Sequence, residues 1–359
     1  MQKINLGAGP AKLPQEVLEQ AAAAILDYQQ SGLSILEIPH RGKLFDAILE
    51  ESKALVNELC ELDNDYEILW LQGGRLQFSM IPMNFLPQGL SAGYIDSGHW
   101  AAEAIKDASV YGNIKVLASS QKDNYNQLPE WPKDIDSSLA YLYLTTNNTI
   151  FGTQWKNIPH TAMPLVADMS SDILSCPRNH KQYALFYAVA QKNIGPAGVT
   201  LVAVHRSFLK KTKSGNASML DYAAHARQHS VLNTPPVMAI YTSLLMLRWI
   251  KQKGKETIFE DNRQKAQWLY DEIDRNTLFT GTVAHAAHRS GMNACFVAKD
   301  KDTEKRFIEF CKNNQIVGIE GHRQVGGFRA SLYNAVSKSD VEKLVTLMQE
   351  FENRELQLS

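Results

Sequence analysis

Net charge is almost missing from this 359-residue chain: 37 lysines and arginines meet 38 aspartates and glutamates, leaving a formal −1. Without a global field the chain has nothing to draw it onto nucleic acid or an anionic lipid surface, so any basic site must be local. Cysteine is scarce as well. Cys60, Cys176, Cys295 and Cys311 stand far apart and form no CxxC or Cys/His pattern. Neither a disulfide framework nor a zinc site is suggested, and reduced thiols in a cytoplasmic protein are the expectation. Long hydrophobic runs are lacking too. The opening MQKINLGAGPAKLP has no apolar core of a signal peptide. The longest apolar stretch, PPVMAIYTSLLMLRWI, contains Tyr241, Thr242 and Ser243, so it reads as a buried or subunit-facing helix and not as a membrane span. Repeats and low-complexity segments are also missing.

What is present is ordinary for a chain with a large core: 44% apolar and 21% charged residues over a length that suits about two domains. Between about residues 65 and 205, seven short apolar runs alternate with helical patterns: YEILWLQ, GYIDS, IKVLAS, LAYLYLT, MPLVADMS, YALFYAVA and VTLVAV. Several are continuously apolar, which marks strands buried on both faces. The fold class expected is therefore α/β, a mostly parallel seven-stranded sheet flanked by helices, with ligands beyond the carboxyl ends of its strands. KLFDAILEESKALVNELC places Leu44, Phe45, Ile48, Leu49, Leu55, Val56 and Leu59 on one helical face. The polar KQKGKET around Gly254 predicts a boundary between a large domain, residues 1–254, and a smaller α+β domain, residues 255–359. The last helix opens on Ser337 or Ser339 as its cap.

Four groups of residues carry chemistry. Lys192 sits between the apolar runs YALFYAVA and VTLVAV, on a turn set by Gly195, Pro196 and Gly198. A solvated loop lysine is the plain reading of such a residue, but a lysine held there can be desolvated, which would favour the neutral amine that a nucleophile or base needs. Asp168 ends the strand MPLVAD at the edge where a ligand would lie; taken alone, a turn aspartate is an equal reading. As a pair, a lysine and a carboxylate are what pyridoxal phosphate requires, one for its aldehyde and one for its ring nitrogen. LWLQGGRLQF puts Gly73 and Gly74 between a strand and a helix, which suits either a tight turn or a phosphate cradle. Finally, His40–Arg41, His322–Arg323 and Arg329 are cations beside glycines that would make an anion pocket if they converge.

Together these motifs resemble the phosphoserine aminotransferase family, within the class V, fold-type I pyridoxal phosphate enzymes. The resemblance runs nearly end to end through GAGPAKLP, HRGKLF, LQGG, QFSMIPMN, DSGHWAAEA, NNTIFG, ADMSSDILS, AQKNIGPAGVTLV, NTPP, MNACF and GHRQVGGFRASLYNA. It implies that Lys192 bonds the aldehyde of pyridoxal 5'-phosphate, Asp168 pairs with the ring nitrogen, Trp100 stacks on the ring and Thr149 bonds the ring hydroxyl. Gly74 and Arg75, through backbone N–H, would hold the cofactor phosphate with Gln191. Asn233 and Thr234 of a second subunit would complete that cradle, so a homodimer with shared sites is implied. Arg329 would clamp the substrate α-carboxylate, while His40, Arg41, His322 and Arg323 take the substrate phosphate. The implied reaction is ping-pong: L-glutamate gives its amino group and leaves as 2-oxoglutarate, and 3-phosphooxypyruvate leaves as O-phospho-L-serine. Related enzymes also use phosphohydroxythreonine in pyridoxine synthesis.

The chain departs from the family pattern at several positions. Only Arg75 and Leu76 separate Gly-Gly from Gln-Phe, where three residues are usual. Val189 stands where glycine is common, Pro39 replaces a serine before His40, and Glu320 puts a carboxylate where a lysine is common before His322. Two other readings stay open: a class V aminotransferase with a non-phosphorylated acceptor, and a non-catalytic protein that keeps the fold.

Overall fold

The computed structural model describes residues 3–323 and 325–358. Its elements begin with β1 (Ile4–Asn5), α1 (Gln15–Leu26), α2 (Lys43–Leu59), β2 (Tyr66–Leu71), α3 (Gln77–Phe85), β3 (Ser91–Asp96), α4 (His99–Ala108) and β4 (Asn113–Ser119). Next come β5 (Leu142–Thr145), β6 (Asn147–Asn148), β7 (Thr153–Gln154), β8 (Leu165–Asp168), β9 (Leu185–Val189) and β10 (Thr200–His205). The remainder is α5 (Arg206–Leu209), α6 (Tyr222–Arg227), α7 (Val237–Lys253), α8 (Lys255–Arg275), β11 (Phe279–Gly281), β12 (Asn293–Ala298), α9 (Lys301–Asn313), β13 (Ile316–Val317), β14 (Phe328–Ser331) and α10 (Lys338–Leu358).

The seven apolar runs form one seven-stranded sheet in the order β2-β10-β9-β8-β5-β3-β4. Its pairs are parallel except those of β10, which runs antiparallel to both β9 and β2. Residues of β5 and β8 are buried without alternation, because helices cover both faces of the sheet. On one side α2 buries Phe45, Ile48, Leu49, Leu55, Val56 and Leu59, packed in one core with α7. Helix α7 is buried from Ile240 through Leu247 and again at Ile250, which accounts for the long apolar stretch. Among the described residues no helix is long and apolar enough to cross a membrane.

The boundary expected near Gly254 is a one-residue break. Gly254, with φ +83°, separates α7 from α8, a left-handed angle that glycine adopts without cost. The second core gathers residues of α8, β12, α9, β14 and α10, around the sheet β11-β12-β14. The first residues of the chain differ from the expected division. Strand β1 pairs in parallel with β13, and Leu6, fully buried, belongs to the second core. Two residues carry no periodicity, so nothing local announces this pairing. At the start of α10 the cap is Ser337: its Oγ accepts from Asp340 N at 3.1 Å, and Asp340 Oδ2 accepts from Ser337 N at 2.9 Å, the reciprocal arrangement of a capping box.

Candidate active site

Strands β2, β3, β5, β8 and β9 all point one way, and the segments leaving their carboxyl ends meet at one edge of the sheet. They enclose a cavity of about 210 Å³ whose wall includes Gly74, Arg75, Trp100, Thr149, Asp168, Gln191 and Lys192. Asp168 is the last residue of β8, only 7% exposed, and its Oδ1 accepts from Ser170 N at 2.9 Å. Lys192 follows β9 by three residues, and its Nζ donates to Thr149 Oγ1 at 3.0 Å. Burial pushes the Lys192 ammonium down to about 8, an effect opposed by the negative charge of Asp168 and reinforced by Arg329. Burial also raises the Asp168 carboxyl above its ordinary range, against the Ser170 bond and the Lys192 charge. The two groups thus bias each other, as a base and its counter-charge must.

The glycine turn is shaped for close approach. Gly73 has φ +77°, and Gln77 N bonds back to Gly74 O at 3.1 Å as α3 begins. The Arg75 side chain leaves the cavity, paired with Glu103 and lying 3.6 Å from Asp107 on α4. Val189, the bulky departure, packs against Gly74, which has no side chain to oppose it. Trp100 lines the cavity from the first turn of α4, and its neighbour His99 stands 5.8 Å, ring to ring, from His322. Arg329 lies on β14, and its Nε is buried with no partner among the described residues. Its positive charge is felt at Lys192, Cys295 and His322. Burial together with Arg329, His99 and Arg323 lowers the His322 imidazole. Glu320 turns to Lys312, 3.1 Å away on α9, so its charge is compensated outside the pocket.

Seven sequence-derived candidates do not line this cavity within one chain: His40, Arg41, Asn233, Thr234, His322, Arg323 and Arg329. His40 and the exposed Arg41 lie on the turn before α2. Asn233 lines a separate cavity of about 120 Å³ behind the glycine turn, with Gln72 and Leu76, and Thr234 is exposed. Conversely, sequence reasoning missed an inner layer. The buried Asp172 and the nearly buried side chain of Arg178 pair at 2.8 Å, and Asp172 also accepts from Thr146 and Gln154. The block ADMSSDILS contains the second acid, but no spacing could show that Arg178 would meet it.

Residues 4–344 match the family described as Aminotransferase class-V. The chain belongs to the class-V aminotransferases. Within that family, the phosphoserine aminotransferase of Flavobacterium psychrophilum is 49% identical over 99% of this chain and 100% of its own. The solved phosphoserine aminotransferase of Bacillus circulans subsp. alkalophilus superimposes with a TM-score of 0.96 at 42% identity, covering 99% of both chains. A solved phosphoserine aminotransferase of Trichomonas vaginalis, described as PLP-bound, gives 0.92 at 32% identity over 97% of this chain and 100% of that one.

The cavity fits the cofactor of such enzymes on its own chemistry. Besides Arg329 Nε, the buried Thr145 Oγ1 on the cavity wall has no partner among the described residues. Buried polar atoms are rarely left so unless a ligand or water serves them. An amine, a carboxylate at its side and a glycine turn without side-chain bulk complete the set that a phosphorylated aldehyde with a basic ring nitrogen needs.

Proposed function

We propose that this protein is a phosphoserine aminotransferase that moves the amino group of L-glutamate to 3-phosphooxypyruvate, giving 2-oxoglutarate and O-phospho-L-serine, with pyridoxal 5'-phosphate as cofactor. The observation that carries the reading is the Lys192 amine beside the Asp168 carboxylate on one cavity wall, in a chain alike end to end to phosphoserine aminotransferases. When bound, the cofactor supplies an aldehyde that captures the amino group and a ring that accepts electrons from the substrate Cα.

The residues of this chain do the rest. Lys192 Nζ would hold the aldehyde and, as a neutral amine, would move the proton from the substrate Cα to the former aldehyde carbon, and in the opposite direction in the second half-reaction. Asp168 would accept a hydrogen bond from the ring nitrogen and keep it protonated. Thr149, which accepts from Lys192, would serve the ring hydroxyl, and Trp100 would cover the ring. Backbone N–H groups at Gly74 and Arg75, with Gln191, hold the cofactor phosphate. Arg329, whose Nε is free of protein partners among the described residues, clamps the substrate α-carboxylate. His322 and Arg323, with His40 and Arg41, receive the substrate phosphate, whose charge demands several donors.

In this reading the working unit is a homodimer, and Asn233, Thr234, His40 and Arg41, which lie outside the cavity of their own chain, serve the cavity of the second copy. The reading also includes a large unit ending at 254, a smaller unit from 255 with residues 4–6 added to it, a place in serine biosynthesis in the cytoplasm, and phosphohydroxythreonine as a second substrate. The deciding experiment follows the cofactor's spectrum in half-reactions. Phosphoserine and glutamate each convert the lysine-bound cofactor to its aminated form, and unphosphorylated serine does so far more slowly. Conversion by serine or alanine in preference to phosphoserine would overturn the assignment.

A further inference from the structure

Beneath the cavity lies a polar layer that the transamination chemistry has not used. Four tyrosines gather there: Tyr94 on β3, Tyr141 and Tyr143 at the neighbouring β5, and Tyr187 on β9, one strand beyond β8. Each is at most 1% exposed. The Tyr94 and Tyr143 rings stack at 4.7 Å. Their hydroxyls pair off, Tyr94 with Tyr141 at 3.0 Å and Tyr143 with Tyr187 at 2.8 Å.

The second pair reaches the site. Tyr187 is the register partner of Asp168 across β8 and β9, and its side chain lines the same cavity. Strand period two puts Tyr143 on the face of β5 that also carries Thr145, another cavity residue. Packing alone would be served by phenylalanine at both positions. A buried phenol costs desolvation unless its hydroxyl is used.

The hydrogens in this chain have one consistent order. Tyr187 and Asp168 stand side by side in register and line one cavity; an ionised carboxylate only accepts, so the Tyr187 O–H serves as the donor beside it and stabilises its charge. The Tyr187 oxygen is then left to accept from Tyr143 at 2.8 Å. We infer that Tyr187 is a positioning residue for the reaction: its hydroxyl, itself held by Tyr143, fixes Asp168 in place as a carboxylate against the ring nitrogen of the bound cofactor.

This inference rests on the proposed function. The charged and titratable groups that face Asp168 are Lys192 from the turn after β9, Tyr187 on β9 and Tyr143 on β5. Asp172 and Arg329 act on the same lysine from the segment after β8 and from β14. Without the Tyr187 hydroxyl, Asp168 is a stronger base and competes for the ring-nitrogen proton. A less positive ring then leaves the nitrogen linked to Lys192 more basic.

The test is a pH titration of the visible absorbance of lysine-bound cofactor in the wild type, Tyr187→Phe and Tyr143→Phe. Cofactor release and thermal unfolding of the cofactor-free proteins are measured beside it. Tyr187→Phe is expected to raise the absorbance midpoint by roughly one pH unit and to weaken cofactor binding about tenfold, in line with one hydrogen bond to a charged group. Tyr143→Phe, which keeps Tyr187 in place, moves both in the same direction by less. A midpoint and affinity unchanged from the wild type in a folded Tyr187→Phe protein would sink the inference. If that variant fails to fold, an unchanged midpoint in Tyr143→Phe does so instead. A wild-type protein that takes up no cofactor would overturn the proposed function itself, which is a separate result.

Discussion

The Val189 side chain occupies the space that a Cβ on Gly74 would need: such an atom would lie 1.8 Å from Val189 Cγ1 and 3.2 Å from Val189 Cβ. Gly74 does not owe its identity to a left-handed backbone, unlike Gly73 with φ +77°. It is glycine because β9 presses a branched side chain against the turn after β2. The two departures noticed in the sequence, a short glycine turn and a valine near Lys192, are thus two sides of one contact.

Gly74→Ala should therefore destabilise the protein by about 1–3 kcal/mol through overpacking and displace the cofactor phosphate. Trimming the opposing side chain in Gly74→Ala/Val189→Ala should recover part of the loss, because the remaining Cβ to Cβ approach of 3.2 Å needs only a small shift. Denaturant unfolding and cofactor affinity of the two single variants and the double variant check this. Additive effects would contradict the contact.

Lys192 should capture the cofactor aldehyde only as the neutral amine. Burial lowers its ammonium to about 8 from an ordinary 10.5, so the rate of linkage to added pyridoxal phosphate should rise as pH passes through about 8 and level off above it. Stopped-flow absorbance between pH 6 and 10 measures this. A rate still climbing steeply toward pH 10.5 would mean that the lysine is not desolvated. Lys192→Ala should bind the cofactor without the lysine-linked absorbance.

Arg329→Ala should lower kcat/KM for glutamate and phosphoserine alike, on the order of a hundredfold, as expected for loss of a charge-assisted, two-pronged contact. Arg329→Lys should recover little, since an ammonium cannot present two parallel donors. Steady-state kinetics with both donors decide it. A loss confined to phosphoserine would instead place Arg329 at the substrate phosphate.

Lys265, 1% exposed on α8, donates to the carbonyls of Leu332, Tyr333 and Val336 at 2.8–3.0 Å. It holds the segment after β14 whose Asn334 N donates to Asn193, the residue after Lys192. Lys265→Met should cost about 1–3 kcal/mol of stability by stranding those carbonyls. Burial lowers the Lys265 ammonium from 10.5 to about 7, so between these values the unfolded chain binds more protons than the folded one. Stability from this group therefore rises with pH across that window. The wild type should gain on Lys265→Met between pH 7 and 10, as read from denaturant midpoints, and a constant difference would refute the assignment.

Much of the fold was legible because its signals are local. Continuous apolar runs announced all seven strands of the large sheet, and Gly254 marked the break between α7 and α8. Lys192 and Asp168 stood out because each follows an apolar run at a strand end. By contrast β1 escaped notice, since its two residues acquire meaning only through β13. Glu320 looked like an intruder in an anion pocket until Lys312 was found beside it. The Tyr143–Tyr187–Asp168 cluster was invisible because its residues stand on three different strands, and the Asp172–Arg178 pair because both residues lie in the irregular segment between β8 and β9, whose path no periodicity reports.

The sequence by itself determined which segments must be buried, where the chain must turn, and which residue types carry the chemistry. Hydrophobic periodicity and backbone freedom are properties of neighbouring residues. Only the tertiary structure decided which residues come together: Lys192 Nζ with Thr149, Val189 with Gly74, and Asp168 beside Tyr187 in register. Such contacts arise from the order and register of strands far apart in the chain, and no local pattern encodes which strand will lie beside which.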